Sequence, residues 1–309
     1  MFDTVNFWID KGNMAEGAPF SVLPYLYSVV EQMAETGYSC SGKLGDYTVC
    51  CYDKGISLKG SLANYYLPSN SCTLTRKTTI EALQKMSDEL HLDMMAANVT
   101  RVDVSTVIPT KRPPADYFNS LGDKPRFVRV QATKDTLYYN QRAKQLAFYD
   151  KTKEATAKAI LIPQTLQRCN LLRYEMRFLR RLKKLCKMET TIKGATLTNS
   201  NFYYSIIQIW KKEFDTIKKN NPIRPMTDNI KTPKEAQEAL FAILLQQNGQ
   251  ICIDEFLNEL KAKKVFPTPE YYSRLKAKLY KIMQAAKEEK SELIKELETA
   301  IADIANYAR

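Results

Sequence analysis

Apolar and polar residues alternate with period two in three separate stretches, and each alternation gathers polar side chains on one face of a predicted strand. In "NVTRVDVSTVI" (98–108), Arg101, Asp103 and Ser105 fall on one side and Val102 and Val104 on the other. In "NLLRYEMRF" (170–178), Leu172, Tyr174, Met176 and Phe178 oppose Arg173, Glu175 and Arg177, so a carboxylate is flanked by two guanidinium groups. In "KQLAFYDK" (144–151), Leu146 and Phe148 share one face and Ala147 and Tyr149 the other, which lets Tyr149 share a face with the carboxylates. Asp150 points away if that strand continues, and joins them only if the strand bends or ends near Tyr149. Spacing alone leaves a plain alternative for the two charged strands, an internal salt-bridge ladder on a solvated sheet face.

The rest of residues 1–189 reads as mixed strand and helix. Runs such as "DTVNFWI", "YTVCCY" and "FVRVQA" are broken by Gly, Pro and Asn. In "TTIEALQKMSDEL" (78–90), Ile80, Leu83, Met86 and Leu90 recur at helical spacing, with Thr78 or Thr79 expected to cap the start and Glu81 and Glu89 off the apolar stripe. Residues 190–309 change to Lys, Glu, Ala and Leu at helical intervals, punctuated by prolines 222, 225, 233, 267 and 269. The final stretch carries Leu275, Leu279, Ile282, Leu293, Leu297 and Ile301 at helical spacing, a packing or partner helix. The expected fold is therefore α+β, a mainly antiparallel sheet with flanking helices in 1–189, followed by a helical C-terminal region over 190–309.

Charge narrows the function. Lys and Arg exceed Asp and Glu by 12 in 309 residues, a balance that suits a partner rich in phosphate. The seven cysteines include no C-x-x-C pair, which points away from a disulfide framework or zinc knuckle and toward a reducing cytoplasm. No leader and no apolar run of about 20 residues is present, so neither secretion nor a membrane span is expected. "GYSCSGKL" (37–44) imitates a phosphate-binding loop, but Leu44 stands where Ser or Thr must hold Mg²⁺. The single histidine, His91, sits at a helix end and excludes any site built on two histidines within one chain. A metal-dependent nuclease of this sequence must use carboxylates.

"LRRLKKLCK" (179–187) is the densest basic cluster, with Arg180, Arg181, Lys183, Lys184 and Lys187. A solvated helix face explains such a run, yet its place directly after the third polar strand also suits a grip on DNA phosphates.

Taken together, "TRVDV", "TLYYNQRAKQLAFYDKTKE" and "LLRYEMRFLRRL", in this order and spacing, resemble the replication initiators of filamentous phages and their plasmid and prophage relatives. A more distant similarity links them to the rolling-circle initiators of Gram-positive plasmids. The resemblance spans roughly 55–190, including "KGSLANYYLPSN" and "MSDELHL". It implies a nicking-closing enzyme acting at an origin, with the attacking tyrosine on Tyr149, the family's acidic positions on Asp103 and Glu175, and Asp150 or Glu154 as a third ligand.

The chemistry agrees with the residue types. A phenol of pKa about 10 needs activation by a nearby metal or base, and an oxygen-only donor set suits Mg²⁺ or Mn²⁺. Lys151, Arg173 and Arg177 are candidates for the phosphate oxygens. A phosphotyrosine bond keeps the energy of the phosphodiester, so resealing needs no ATP. The expected protein is a cytoplasmic rolling-circle initiator in a bacterial host, acting on single-stranded or supercoiled origin DNA with a host helicase. A mobilisation relaxase of the same chemistry is the near alternative. A non-enzymatic basic DNA-binding protein, with Tyr149 as a packing aromatic, is the distant one.

Overall fold

Burying one face of an alternating strand demands an apolar layer above it, and the helix that supplies this layer defines the fold. The computed structural model describes residues 1–14, 19–34, 37–221, 223–225, 230–284, 286–288 and 290–307. Its strands are β1 (Phe2–Asp10), β2 (Tyr27–Ala34), β3 (Gly37–Leu44), β4 (Tyr47–Tyr52), β5 (Gly55–Lys59), β6 (Asn98–Thr110), β7 (Val128–Thr133), β8 (Thr136–Asn140), β9 (Lys144–Asp150) and β10 (Asn170–Phe178). All ten join one sheet in the order β2-β3-β4-β5-β1-β6-β10-β9-β8-β7, and every paired neighbour runs antiparallel. The three polar strands read from the sequence, β6, β10 and β9, are thus adjacent. "GYSCSGKL" is β3, an extended strand and no phosphate loop.

The helices of this region are α1 (Leu62–Tyr66), α2 (Arg76–Leu90), α3 (Pro114–Phe118), α4 (Lys151–Ala157), α5 (Leu182–Leu185), α6 (Gly194–Thr198) and α7 (Ser200–Asp215). Helix α7 covers the apolar face of the central strands. Phe148 stacks on Tyr174 with ring centres 4.5 Å apart, Tyr174 stacks on Trp210 at 4.7 Å, and Phe214 closes on both rings. All four are fully buried, and such pairs add about 0.5–1.5 kcal/mol each beyond the area they bury. The Tyr174 hydroxyl donates to the Trp210 carbonyl, so its buried oxygen is satisfied. Helix α2 starts one turn earlier than its apolar stripe suggested. Its cap is Thr75, whose hydroxyl accepts from the Thr78 amide while the Thr78 hydroxyl accepts from the Thr75 amide. His91 ends this helix in a left-handed conformation at φ 52°.

Compactness divides the chain at 218/219, whereas composition divided it at 189/190. The first unit runs from Met1 to Lys218 and takes in the residues from Glu296. It extends past 189 because α7, although it follows the change in composition, supplies the layer that buries the sheet. The second unit, 219–295, contains α8 (Pro233–Ala262), interrupted at Gly249 by φ 74°, and α9 (Pro269–Met283). Leu245, Ile253, Leu257, Leu279, Ile282 and Met283 form its core, beside a two-stranded ladder of β11 (Ile223–Pro225) and β12 (Ala286–Glu288). The last helix, α10 (Glu292–Tyr307), is separate from α9, so the final apolar stripe belongs to two helices. Among the described residues no helix is long and apolar enough to cross a membrane.

Candidate active site

Strand register fixes which side chains meet. Arg177 lies opposite Asp103 on β6 and Gln145 on β9, Glu175 lies opposite Ser105 and Ala147, and Arg173 lies opposite Val107 and Tyr149. Since residues two apart share a face, Arg101, Asp103, Ser105, Arg173, Glu175, Arg177 and Tyr149 form one polar surface, with α7 on the other side of the sheet. The Tyr149 hydroxyl donates to Glu175 Oε2 at 3.3 Å, longer than the 2.7–2.8 Å favoured by such bonds.

Glu175 is held between two cations. Arg177 Nε donates to its Oε1 at 2.8 Å, and Arg173 Nε lies 3.8 Å from Oε2. Burial alone would push this carboxyl up, but the two arginines and the Tyr149 hydroxyl overcome it and hold it below the usual range. Asp103 is as deeply buried and has one close cation, Arg101, which donates to both of its oxygens at 2.9 and 2.6 Å. Here burial wins, helped by the charge of Glu175, and the carboxyl is pushed up to about 6. Tyr149 is pushed well above the ordinary phenol value, first by burial and then by Glu175, Glu154 and Asp3, against the pull of Arg173.

The cations expected on DNA divide into two groups. Arg173 is 1% exposed; it donates to Asp3 Oδ2 at 2.5 Å, to the Ser105 hydroxyl at 2.7 Å and to the Asn70 carbonyl at 2.5 Å. Lys151 is also fully buried, bound to the Asn70 side chain and to Glu154, each at 2.6 Å. Both hold the site together from beneath and present no free donor at the surface. Arg177 is half-buried and also donates to Gln145. Arg180, Arg181, Lys183 and Lys184 are exposed. They lie past the far end of β10, where Arg142, Arg180, Arg181, Lys184 and Lys187 line a groove of about 570 Å³. With ~3.3 Å per strand residue, the six residues from Tyr149 back to Ala143 put this groove roughly 20 Å from the tyrosine. The cluster therefore does not abut Tyr149, although it follows β10 directly.

Strand β9 ends at Asp150, and α4 begins at the next residue. Asp150 becomes the cap of that helix, accepting from the Lys153 amide at 3.0 Å, and because the strand ends there it still lines the cleft beside Tyr149. Among the described residues no group of three or more His, Cys, Asp or Glu is placed to hold a metal ion. Asp103 and Glu175 share a face, but arginines occupy both, and Asp150 is committed to α4. As arranged, these three oxygen donors do not fit one Mg²⁺ or Mn²⁺ centre.

Tyr149 opens on a cleft of about 350 Å³ with Asp135, Thr136, Tyr138, Asp150, Lys153, Glu154, Lys158 and Arg177. Of the other tyrosines in this part of the sheet, Tyr139 and Tyr174 are buried on the α7 side and donate to the backbone carbonyls of Gly122 and Trp210. Tyr138 shares the cleft. Periodicity missed Asp3 and Asn70, which fix Arg173 and Lys151. Asp3 left a trace in the sequence, an acid within the apolar strand "FDTVNFWID", whereas Asn70 comes from a loop with no period to read.

No curated protein matches the chain. A family model for the N-terminal region of a phage replication-associated protein matches residues 1–205, from the first strand to the middle of α7 and including every polar strand of the site. The chain belongs to that family of filamentous-phage replication initiators.

Proposed function

We propose that the chain starts rolling-circle replication by nicking one DNA strand at an origin and later resealing it, with Tyr149 as the attacking group. The observation that carries this reading is the Tyr149 hydroxyl directed at the Glu175 carboxylate, at a cleft, in a member of an initiator family. The phenol oxygen bonds to phosphorus and the bond to the 3′ oxygen breaks. The products are a 5′-phosphotyrosine and a strand end that takes up a proton as its 3′ hydroxyl. The reverse attack restores the phosphodiester and frees Tyr149.

Glu175, kept ionised by its arginines, is placed to accept the phenolic proton. The transfer is uphill at rest, because the phenol is raised and the carboxyl lowered. Tyr149 therefore stays protonated until the phosphate arrives, and the proton moves as the oxygen–phosphorus bond forms. Arg177, which lines the cleft and donates to Glu175, is a cation placed for a non-bridging oxygen. Origin DNA, single-stranded or supercoiled, is the proposed partner, with a host helicase to open the duplex.

Changing Tyr149 to Phe keeps the ring and removes the attacking oxygen. The variant should bind DNA and fail to relax supercoiled origin plasmid, while undiminished nicking contradicts the assignment. The Mg²⁺ or Mn²⁺ requirement expected from oxygen donors has a separate test, loss of nicking in EDTA and recovery on adding back either ion. Full activity in EDTA would remove that requirement.

A further inference from the structure

The face that carries Tyr149 continues across β6 and β1 to β5 and β4, where it presents two aromatic rings. Trp8 lies opposite Ser57, Ser57 opposite Cys50, and Tyr52 opposite Gly55. The Trp8 and Tyr52 rings are 6.2 Å apart and tilted by 35°. They line a depression of about 500 Å³ together with Lys54, Lys59, Ser57 and Asp53. Tyr52 is 38% exposed and Trp8 half-buried, so both rings meet solvent in a sheet whose other aromatics are mostly sealed in the core.

The arrangement is held in place. The Trp8 indole N–H donates to Asp10 at 2.7 Å, and Asn98 donates to the other oxygen of that carboxylate at 3.2 Å. Gly55 leaves room for the indole: at φ +157° a Cβ there would stand 2.9 Å from Trp8 Cζ2 and 2.2 Å from the Ile9 carbonyl oxygen. Asn6 and Arg101, paired across β1 and β6, continue the same polar face toward Asp103 and Arg177.

We propose that Trp8 and Tyr52 are a stacking platform for unpaired bases of the DNA strand that Tyr149 cleaves, with Lys54 and Lys59 on its phosphates. This rests on the nicking function proposed above and adds the strand state of the substrate. An aromatic platform flanked by lysines suits single strands, because every base has a π face and only an unpaired strand leaves that face free. The two sites lie on one surface. Three strand spacings of ~4.8 Å separate β1 from β9, and nine residues of β6 separate the rows of Trp8 and Tyr149, so the platform is roughly 14 Å across and 30 Å along the sheet from the nick. The stacked bases are therefore several nucleotides from the scissile bond.

The chain offers its own probe. Of its two tryptophans, Trp210 is fully buried, so fluorescence quenching by DNA reports Trp8. The Tyr149→Phe protein, which binds without cleaving, is titrated with a short single-stranded oligonucleotide and with its duplex. The single strand should quench tryptophan emission and the duplex should not. Stacking of 1–3 kcal/mol per base corresponds to about a 5- to 150-fold loss of single-strand affinity in Trp8→Leu and in Tyr52→Leu, read by anisotropy of a labelled oligonucleotide, with duplex affinity within about twofold. Equal quenching by duplex, or unchanged single-strand affinity in both variants, overturns the platform. If the wild-type chain still forms a covalent adduct on Tyr149 when the platform fails, the nicking function stands alone. Quenching without any adduct leaves the platform and removes the function.

Discussion

Phe148 and Tyr149 are neighbours in sequence with opposite surroundings, and their substitutions should separate stability from chemistry. Phe148 is stacked in the core, so Phe148→Ala should cost about 3–5 kcal/mol in urea unfolding. Tyr149→Phe gives up one long hydrogen bond and should change stability by about 1 kcal/mol or less while abolishing nicking. A large stability loss in Tyr149→Phe would make its hydroxyl structural. Asp3 is the reverse case, far from Tyr149 in sequence yet bound to the buried Arg173. Asp3→Ala leaves that guanidinium short of a partner and should destabilise the fold by about 3–5 kcal/mol, again by urea unfolding. Asp103 carries a pH signature. Its folded value near 6 lies above the unfolded value of about 4, so the folded chain binds the extra proton between them. The contribution of this group to stability is complete below about pH 4 and is lost as pH rises through 6. Carbon-13 shifts of the Asp103 carboxyl should titrate near pH 6, and a midpoint near 4 would show that burial is not the controlling effect.

At the scale of elements, the alternation in β6, β9 and β10 was enough to place Asp103, Glu175 and Tyr149 on one face, because a period of two fixes side-chain direction once strands pair. What periodicity cannot carry is which distant segment arrives from above or beside. The arginines on both carboxylates sit two residues away on the same strands and the cap at Asp150 is local to the end of β9, but the partners Asp3 and Asn70 do come from such arrivals. They turned Arg173 and Lys151 from expected DNA contacts into buried supports. Composition groups helix α7 with the helical region after it, whereas its buried face, Ile206, Ile207, Trp210 and Phe214, packs with the sheet. The basic cluster after β10 was legible as charge but not as position. Replacing Arg180, Arg181, Lys183 and Lys184 by Ala should flatten the slope of log K against log salt by about 0.7–0.9 for each phosphate contact removed, with little change in sequence preference. An unaltered slope would identify a solvated face instead.

At the scale of the whole molecule, a sheet sealed on one side by α7 presents on its other side a tyrosine, a carboxylate held ionised and a cleft that can admit a phosphate. The family match covers this sheet, whereas 219–295, the second compact unit, lies outside it. The proposed nicking function accordingly belongs to the first unit, and one adduct decides it. The 309-residue chain is incubated with labelled origin DNA and a divalent ion, digested with protease and nuclease, and the modified peptide is sequenced. The expected product is a 5′-phosphate on Tyr149 in the peptide containing "QLAFYDK". An adduct on Tyr138, which shares the cleft, or nicking with no covalent adduct at all, would show that Tyr149 is not the nucleophile.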